Sequence, residues 1–463
     1  MLNAWQGLRK GGATGLEKTW DQMTALEKRE QRFQWLLNPE GIKFANKDAE
    51  KNFQVRAKRL VDVYKVQEPD RVPVNVPVGY LPASRAGLTL HDVMNDPHKA
   101  VAAWKKFNEE TDLDSFSTPG IMPSARVMDL MDYKLYRWPG HGIPQDVEGF
   151  QFVEGEYMNP DEYDDLIRDP SDFWLRTYLP RVFGIWEPFR MMASLTNITE
   201  IVHFNGLLMP FTTPKGREAL ARLGQAAEAL DEWNRVVGTY ARRGMELGFP
   251  MARGAFGKAP FDTIGDTLRG TKGIFFDMYR QPQKLLKALD VVADVSIASI
   301  LSSMNASRGL VAGFPLHKGA DGWMSEKQFD TFYWPSLKKV IDAIVAEGGL
   351  VSLFAEGSYD TRIEKCNVFP KGSLIWLFDK SDMTHAKKVL GKTCCISGNV
   401  PASLIHAGAP AEVREYCRKL IETCAPGGGY ILAAGNNDVE GARLENLQAM
   451  VEAAREYGVY PKK

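Results

Sequence analysis

Polar side chains follow directly on a series of apolar runs in the last third of the chain. Five runs between residues 309 and 434 each end in an acid, an amide or a histidine: His317, Glu356, Asp379, Asn399, and Asn436 with Asn437. Imidazoles and carboxylates transfer protons, and amides hydrogen-bond polar substrates. Gly, Asn and Asp also form turns, so a turn or capping role is the alternative for each residue. These positions are the first candidates for a functional site.

Two further groups could bind ligands. His317, Glu356 and Asp379 together form a nitrogen and oxygen donor set that suits a hard metal ion. The alternative for His317 is that it caps a helix or bonds a loop carbonyl. In GDTLRGTKG, Asp266 and Arg269 lie at a loop or helix start, where an arginine could clamp a carboxylate or phosphate. An ordinary surface ion pair is the alternative there.

The elements that must position these residues alternate in type along the chain. The runs GLVAGFPLH, GLVSLFAEG, SLIWLFD, TCCISGNV and GGYILAAGNND are separated by amphipathic helical patterns. Continuous apolar runs indicate strands buried on both faces, and their alternation with helices indicates a parallel sheet. About eight such units fit an α/β fold of the (β/α)8 TIM barrel type, whose chemistry lies at the carboxyl ends of the strands. A doubly wound open sheet is the alternative, but no Gly-x-Gly-x-x-Gly follows the first strand.

Two regions depart from this alternation. Residues 1–60 are polar and helical in pattern, which predicts a helical N-terminal extension packed on a barrel of residues 61–463. A partner-binding arm is the alternative for this extension. After the run LDSFSTPG, a loop-rich insertion carries the short segments YKLYRW and FQFVEGEYM before a long helix begins near residue 213.

Composition restricts the class of protein. The 463 residues are 44% hydrophobic and 25% charged, with a formal net charge of -1, so we predict neither a nucleic-acid nor a membrane partner. The five cysteines are odd in number and all lie after residue 365, which argues against a disulfide framework. The first residues lack a signal-peptide pattern. We expect a cytoplasmic protein; a homodimer is left open.

Three stretches resemble the uroporphyrinogen decarboxylase superfamily. They are PDRVPV at the first strand, DGWMSEKQFDTFYWPSLKKVIDAI in the middle, and ISGNVPASLIHAGAPAEVREYCRKLIETCAPGGGYILAAGNND followed by ENLQAMVEAAREYG. The resemblance covers residues 50–460 and is most specific over the last 150. It implies a (β/α)8 barrel, in agreement with the alternation of strands and helices.

The superfamily includes enzymes that catalyse two different kinds of reaction. Some of the residues that distinguish them can be compared with this sequence. True uroporphyrinogen decarboxylases carry an Arg-Gln-Ala-Gly-Arg signature, whereas this chain reads GYLPASRAGLT after its first strand. Asp114 could match the essential aspartate of the decarboxylases, and Arg85 and Arg269 could be charge partners. A porphyrinogen with eight carboxylates needs more cationic clamps than these. A decarboxylase of a porphyrinogen or other polycarboxylate is therefore the alternative.

The other branch contains corrinoid-dependent methyltransferases, several of which bind zinc through His-x-Cys and a distant Cys. The matching positions here are Phe354, Glu356 and Asn436, so we expect no thiolate zinc site and assign no residue to a metal; a non-cysteine metal site is left open. Cys394 and Cys395 lie in a strand, and Cys417 and Cys424 on one helix. We expect these residues to be buried small hydrophobic side chains.

The resemblance therefore favours a corrinoid-dependent methyltransferase. In this hypothesis a cobalamin carried by a partner corrinoid protein exchanges a methyl group with a small substrate or with tetrahydrofolate. Glu356 is the acid or base and acts with His317 and Asp379. The predicted substrate-binding residues are Asn436, Asn437, Asp114, Arg269 and Asp266. A non-catalytic barrel that scaffolds a partner is a third hypothesis, which the polar strand ends disfavour.

Overall fold

The computed structural model describes residues 18–436 and 439–461. The first 17 residues of the predicted extension, and Asn437, therefore lie outside the described residues. Within the described part of the chain, no helix combines the length and the hydrophobicity that a membrane span requires.

The described residues form nine strands and a larger number of helices. The strands are β1 (Tyr136–Pro139), β2 (Gly142–Ile143), β3 (Gln151–Phe152), β4 (Arg253–Phe256), β5 (Val311–Leu316), β6 (Leu350–Ala355), β7 (Leu374–Phe378), β8 (Cys395–Ser397) and β9 (Tyr430–Ile431). The α-helices are α1 (Ala25–Leu37), α2 (Lys47–Tyr64), α3 (Leu81–Arg85), α4 (Leu90–Asn95), α5 (Pro97–Glu110), α6 (Ala125–Met131), α7 (Tyr163–Arg168), α8 (Pro170–Phe173), α9 (Leu179–Val182), α10 (Asn205–Leu208), α11 (Pro214–Glu246), α12 (Pro260–Asp262), α13 (Gly270–Arg280), α14 (Pro282–Ser307), α15 (Glu326–Gln328), α16 (Trp334–Ala346), α17 (Ile363–Cys366), α18 (Met383–Leu390), α19 (Ala402–Ala407), α20 (Pro410–Cys424) and α21 (Leu444–Tyr457). Short 3-10 helices cover Trp20–Gln22, Pro119–Ile121, Gly184–Met191, Leu195–Asn197, Ile201–His203 and Met209–Thr212, and π-helical turns cover Trp174–Tyr178, Thr263–Leu268 and Phe329–Tyr333.

A parallel sheet lies at the centre of the molecule. Strands β4 to β9 pair in chain order, each parallel to the next. The longest register, between β5 and β6, runs from Val311 opposite Leu350 to Leu316 opposite Ala355. Strands β5 to β9 are largely apolar and almost all of their residues are buried, because helices cover the outside while side chains fill the inside. In β4 only Ala255 is buried.

Two further segments complete the barrel. Val74 forms a parallel bridge with Leu432 just after β9, and Asp114 N–H donates to the Val74 carbonyl at 3.1 Å. Phe116 then packs against Phe249, whose chain leads into β4, with ring centroids 5.3 Å apart. Together with β4 to β9 these segments give the eight members of a (β/α)8 barrel, as predicted.

The helices between these strands form the outer layer. Helix α14 leads from β4 to β5, α16 from β5 to β6, α18 from β7 to β8 and α20 from β8 to β9, and α21 follows β9. Each buries an apolar face, such as Val340, Ile341 and Ile344 of α16, in the main hydrophobic core. Every strand therefore ends on the same side of the barrel, where its loop begins.

Helices α1 and α2 pack against the opposite, amino ends of the strands. Phe33 and Val61 share a cluster with Val311 and Leu350, at the starts of β5 and β6, among other residues. Arg32 of α1 is fully buried, and its guanidinium donates to the Gly309 carbonyl at 2.6 Å. From residue 18 to the end of α2 the chain is thus largely helical and docked on the barrel; the boundary predicted at residue 60 falls inside α2.

The predicted insertion lies between residue 119 and the start of α11. It holds the small sheet β2-β1-β3 and a series of short helices, and the 33-residue α11 then leads toward β4. Within the sheet, Tyr136 of β1 is opposite Phe152 of β3. Several helical turns of this insertion contain proline or glycine, which interrupts longer helices.

Candidate functional site

Three predicted residues follow three adjacent strands. His317 comes directly after β5, Glu356 directly after β6 and Asp379 directly after β7. Because these strands are neighbours and parallel, their carboxyl ends bring the three side chains to one edge of the barrel. The structure therefore assembles the predicted catalytic trio in one place.

His317 lies between two carboxylates. Its Nδ1 is 2.5 Å from Asp266 Oδ2, and its Nε2 is 3.6 Å from Glu356 Oε1. The first contact is a hydrogen bond; the second is longer than one. Both His317 and Glu356 keep part of their side chains in solvent, with 32% and 41% exposed respectively. The Nε2 side therefore remains accessible from the barrel mouth.

Asp266 is the centre of a buried charge network. Lys258 Nζ and Lys318 Nζ each lie 2.7 Å from one of its carboxylate oxygens. Burial raises the pKa of Asp266, but the hydrogen bonds from His317, Lys258 and Lys318 outweigh burial and hold that pKa well below its usual range. Since Asp266 is therefore an acceptor only, Nδ1 of His317 carries the proton of their hydrogen bond.

A second buried aspartate fixes the turn that carries His317. Asp262 accepts the backbone N–H of His317 and of Lys318, each at 3.0 Å, and the Tyr333 hydroxyl at 2.7 Å. Burial and the charge of Asp266 raise the pKa of Asp262. Asp262 and Asp266 both come from the helical turns after β4, so this loop orients the imidazole from the backbone and from the side chain.

The pKa values of His317 and Glu356 are both raised. Burial lowers the pKa of His317, but the Asp266 hydrogen bond and the charge of Glu356 outweigh burial. Burial raises the pKa of Glu356; the charge of His317 opposes this effect, and those of Asp262 and Asp266 add to it. His317 and Glu356 therefore each lose their proton at a higher pH than an ordinary histidine or glutamic acid does.

Glu356 and Asp379 are held next to each other by Gly357. The Gly357 N–H donates to Asp379 Oδ2 at 3.2 Å. Gly357 has φ of 89°, a left-handed conformation that a residue with a Cβ adopts at a cost, so the turn after β6 favours glycine. This turn ends the strand and leaves the Glu356 side chain at the rim.

Asp379 also lines a neighbouring cavity of about 650 Å³. Asn436, after β9, lines the same cavity, as do Asn399 after β8, and Tyr416 and Lys419 of α20. Glu356 is not among the lining residues. Asp379 and Asn436 therefore share this cavity, and Asp379 links it to Glu356 through the Gly357 N–H. Asn437 lies outside the described residues.

The insertion reaches over the charge network. The Thr271 N–H donates to Glu154 Oε1 at 2.7 Å, and the Thr271 hydroxyl accepts from Lys318 Nζ at 3.1 Å. Burial and the nearby negative charge of Asp266 raise the pKa of Tyr136, in the strand next to the one that leads to Glu154. The mouth beside His317 is thus bordered by insertion residues.

The other two predicted substrate-binding residues are placed elsewhere. Asp114 is buried toward the amino end of the barrel, where it pairs with Arg59 at 2.5 Å and with Arg71 at 2.8 Å. Arg269 is buried and pairs with Asp277 at 2.6 Å and with Glu156 at 3.0 Å. In this structure both side chains thus form ion pairs inside the protein, away from His317 and Glu356.

No group of three His, Cys, Asp or Glu side chains is arranged to hold one metal ion within residues 18–436 and 439–461. The donor set that the sequence suggested for a hard metal ion therefore forms no such group; its members are His317, Glu356 and Asp379. All five cysteines are buried free thiols. Burial raises the pKa of each, to about 11 for Cys394 and about 12 for Cys417. The donor set at the mouth is one suited to proton transfer and hydrogen bonding.

Sequence reasoning did not find Lys258 and Asp262. Both follow β4, whose sequence RGAF is short and contains glycine, so its pattern is weak. The run GKAP at residues 257–260 was the available signal, since a cation and a proline follow an apolar stretch there. With these two residues included, the site is a connected series of acid–base groups. Lys258 and Lys318 pair with Asp266, Asp266 hydrogen-bonds to His317, and His317 faces Glu356.

Comparisons with known proteins give the family of this chain. A methyltransferase from Methanosarcina mazei is 15% identical and superimposes with a TM-score of 0.55, over 87% of this chain and 98% of that chain. At this identity the likeness shows the shared fold. Uroporphyrinogen decarboxylase from Actinobacillus succinogenes is 23% identical over 193 residues, which are 39% of this chain and 50% of that protein. The enzyme of the same name from Protochlamydia amoebophila is 26% identical over 205 residues, which are 43% of this chain and 53% of that protein.

The chain spans about half the length of the curated relatives it matches. A family model described as uroporphyrinogen decarboxylase (URO-D) matches residues 213–457 of this chain, from α11 to the end of α21. This region holds β4 to β9 and every residue of the charge network around His317. Because it is more than half of the chain, the protein belongs to the uroporphyrinogen decarboxylase (URO-D) family.

Proposed function

We propose that this protein is an enzyme that moves a methyl group between a small molecule and a cobalamin carried by a partner corrinoid protein. The small molecule is a methylated substrate or tetrahydrofolate. The observation that carries the proposal is the position of His317, hydrogen-bonded to Asp266 on one side and facing Glu356 on the other, at the open end of the barrel. Removal of a methyl group from oxygen or nitrogen leaves an atom that must gain a proton.

Glu356 is the proposed proton donor to that atom. Its pKa is raised by burial, so it holds a proton at higher pH than an ordinary glutamic acid. The gap of 3.6 Å between Glu356 Oε1 and His317 Nε2 is too long for a direct hydrogen bond, and a polar substrate atom can contact both groups there. In the reverse direction the same carboxylate takes the proton from a nucleophilic oxygen or nitrogen.

His317 and Asp266 support this transfer. The imidazolium form of His317 is favoured by Asp266 and stabilises the carboxylate that Glu356 becomes. Asp262 holds the backbone of His317 and so limits movement of the ring. Asp379 and Asn436 line the adjacent cavity and are the proposed hydrogen-bonding residues for the rest of the substrate.

The corrinoid supplies a cobalt centre that accepts and releases the methyl group. Access by such a partner is supported by Glu356 and His317, which are the most exposed members of the network, at 41% and 32%, and lie at the mouth. A thiol-activating zinc has no role in this proposal, since the atom that loses or gains the methyl group is an oxygen or nitrogen and not a thiol sulfur.

Decarboxylation of a porphyrinogen or other polycarboxylate is the second candidate, which the names of the curated relatives favour. Such a substrate requires several cationic clamps. The arginines considered for that purpose are engaged within the protein: Arg269 with Asp277 and Glu156, and Arg85 with Glu110 at 3.7 Å. Asp114 is likewise paired with arginines. Methyl transfer is therefore the better supported of the two.

The test is a spectroscopic assay with both chemistries as arms. The protein is mixed with methylcob(III)alamin and each candidate acceptor, including tetrahydrofolate, and visible absorbance reports loss of the methyl group. We expect an enzyme-dependent loss with one acceptor class, and a loss about 10²–10⁴-fold slower with Glu356→Gln. In the second arm, uroporphyrinogen is incubated with the protein and its products are separated by carboxylate number. Decarboxylation without demethylation of the corrinoid would contradict the proposal and support the second candidate.

A further inference from the structure

The inner face of the barrel is open to solvent below the mouth. Successive residues of a strand point to opposite faces, and Phe314 of β5 and Leu353 of β6 point outward into the main hydrophobic core. Their neighbours Pro315, Ser352 and Phe354 therefore point inward, and each keeps part of its surface in solvent. A ligand that enters the mouth can thus reach the interior of the barrel.

Arg253, at the start of β4, places its guanidinium in this interior. Gly313 lies between Ala312 and Phe314, which both belong to the outer core, so the side-chain position of Gly313 faces inward. A Cβ at that position would lie 3.5 Å from Nε and 3.7 Å from Nη2 of Arg253. The guanidinium therefore lies against the inner face of β5.

This guanidinium has no anionic partner in the protein. Arg253 is exposed, and its side chain forms no ion pair and no hydrogen bond within the described part of the chain. Arg59, Arg71 and Arg269, by contrast, each pair with a carboxylate. Because α1 and α2 cover the amino ends of the strands, solvent reaches Arg253 from the mouth. An anion that enters by the same route can pair with it.

Ser352 adds a hydroxyl beside the guanidinium. It lies directly opposite Gly313 in the register of β5 and β6, and neighbouring strands are about 4.8 Å apart. An arginine binds a carboxylate through two parallel N–H···O bonds, and a serine hydroxyl can donate to one of the same oxygens. The pair Arg253 and Ser352 therefore suits a carboxylate.

Two phenylalanines lie between this pair and the mouth. Phe256 follows the outward-facing Ala255, lies opposite Gly313 in the register of β4 and β5, and is 66% exposed. Phe354 precedes Glu356 by two residues on the inward face of β6. An exposed aromatic ring inside a cavity favours a ligand that removes its surface from water. The body of the ligand is therefore apolar.

The spacing along β5 sets the length of this ligand. His317 follows Gly313 by four residues on the same inward face, which is about 13 Å along the strand. Hydrogen bonds of about 3 Å at the two ends leave roughly 7 Å between the carboxylate and the atom that contacts His317 and Glu356. One six-membered ring with substituents at opposite positions has this length.

We propose that Arg253 and Ser352 bind a carboxylate of the substrate, and that the substrate is a carboxylic acid with an apolar body the size of one ring. This inference rests on the proposed function, since it places the methylated oxygen or nitrogen at Glu356 and His317, opposite the carboxylate. One guanidinium matches one carboxylate, whereas a porphyrinogen with eight would leave most of them unpaired.

Isothermal titration calorimetry with two matched probes tests the site. The probes are 4-methoxybenzoate and the uncharged 4-methoxybenzamide. We expect Arg253→Met, which keeps the stem of the side chain and removes its charge, to weaken binding of the acid about 10- to 100-fold, as expected for hydrogen bonds to a charged group. Arg253→Lys should retain a preference for the acid over the amide. The control is Arg242→Met, at an exposed arginine of α11, which should bind the acid like the wild type.

The thermal unfolding midpoint of Arg253→Met should equal that of the wild type, because no ion pair is lost. Equal affinity of the wild type for the acid and the amide, or acid binding that Arg253→Met leaves unchanged, would overturn the inference. Absence of acid binding to the wild type would do the same. Displacement of the acid by an equal concentration of inorganic phosphate would show that the carboxylate assignment is wrong and that the guanidinium serves a phosphate.

Chemical modification of the unaltered chain is a second measurement. Phenylglyoxal reacts with accessible, unpaired guanidinium groups, and the modified peptides are identified by mass spectrometry. We expect Arg253 to react, and saturating 4-methoxybenzoate to protect it, whereas Arg242 should react equally with and without the acid. An unreactive Arg253, or one that the acid does not protect, would contradict the proposed site.

The carboxylate site and the reaction can fail separately. Acid binding that depends on Arg253, without methyl transfer in the corrinoid assay, would support the site and contradict the proposed function. Methyl transfer with uncharged substrates that proceeds equally well in Arg253→Met would support the function and contradict the site.

Discussion

Two carboxylates flank His317, and their environments move their pKa values in opposite directions. Asp266 accepts from two lysines and an imidazole, so its pKa is held low and it stays ionised. Glu356 is partly buried with other acids nearby, so its pKa is raised. Neither Lys318 nor Arg269 pairs with Glu356, because those cations are bound to Asp266 and Asp277. Pairs of acids separated in this way are typical of acid–base catalysis.

Replacement of Glu356 by glutamine tests its role in proton transfer. The variant keeps the shape and hydrogen bonding of the side chain but removes the titrating proton. We expect turnover in the corrinoid assay to fall about 10²–10⁴-fold, the usual contribution of a general acid or base. The thermal midpoint should be unchanged or slightly higher, since a carboxyl with a raised pKa opposes folding when ionised. Glu364→Gln, at an exposed site on α17, is the control. A variant that melts early and keeps its turnover would remove Glu356 from the mechanism.

Asp266→Asn should change the titration of the neighbouring imidazole. The Asp266 hydrogen bond raises the pKa of His317, so the variant should show a lower His317 pKa in histidine-detected NMR titration. Lys318, which is largely buried, would also lose its anionic partner. Removing one member of a buried ion pair costs about 3–5 kcal/mol in the free energy of unfolding. An unmoved His317 titration would contradict the assigned hydrogen bond.

The raised pKa of His317 also makes stability depend on pH. A group whose pKa is raised on folding contributes stability that is complete below its unfolded-state pKa, about 6.5, and is lost as pH rises through the folded-state pKa. The difference in unfolding free energy between the wild type and His317→Gln should therefore decrease from pH 6 upward in urea titrations. The exposed His98→Gln variant is the control. A difference that increases with pH would show that the sign is wrong.

At the scale of elements, the helices at the amino end of the barrel explain why Asp114 is not in the mouth. Asp114 belongs to the segment beside Val74, and its carboxylate accepts the Val74 N–H at 2.8 Å. Arg59 on α2 and Arg71 ahead of the first strand segment close on the same carboxylate. This group ties the N-terminal helix to two barrel segments, which is a structural role.

Asp114→Asn should therefore reduce stability without reducing turnover. The variant leaves Arg59 without one of its buried anionic partners, and we expect about 3–5 kcal/mol less free energy of unfolding in denaturant titrations. Turnover per folded molecule should stay within about twofold of the wild type. Glu109→Gln, in an exposed pair with Lys105, is the matched control and should cost well under 1 kcal/mol. Loss of turnover in fully folded Asp114→Asn would return this residue to the candidate site.

The strands differ in how well the sequence predicts them. The runs that end at His317, Glu356 and Asp379 are long and apolar, and β5, β6 and β7 lie inside them. The run RVPVNVPV gives only two isolated bridges, at Arg71 and at Val74, because its prolines at 73 and 77 cannot donate to a ladder. Strand β4 escaped prediction because tertiary pairing with β5, and not its own pattern, makes it a strand.

At the scale of the whole molecule, the five cysteines lie inside the wall of the barrel and its outer helices. Burial raises the pKa of every one of these thiols, which disfavours the thiolate form that zinc binds. Elemental analysis of protein purified without chelator should find zinc well below one equivalent. Stoichiometric zinc that is lost in the variant Cys394→Ser, Cys395→Ser would contradict this prediction.

The sequence by itself determined the barrel, the family and the positions at which His317, Glu356 and Asp379 end their strands. These properties follow from local patterns: apolar runs form buried strands, and polar residues directly after them are fixed at one edge of a parallel sheet. Tertiary structure alone decided which side chains meet. Asp262 and Asp266 reach His317 from a loop about fifty residues away, and Arg59 and Arg71 hold Asp114. Such pairings depend on how elements far apart in the sequence pack together. Local patterns of residue spacing therefore do not predict them.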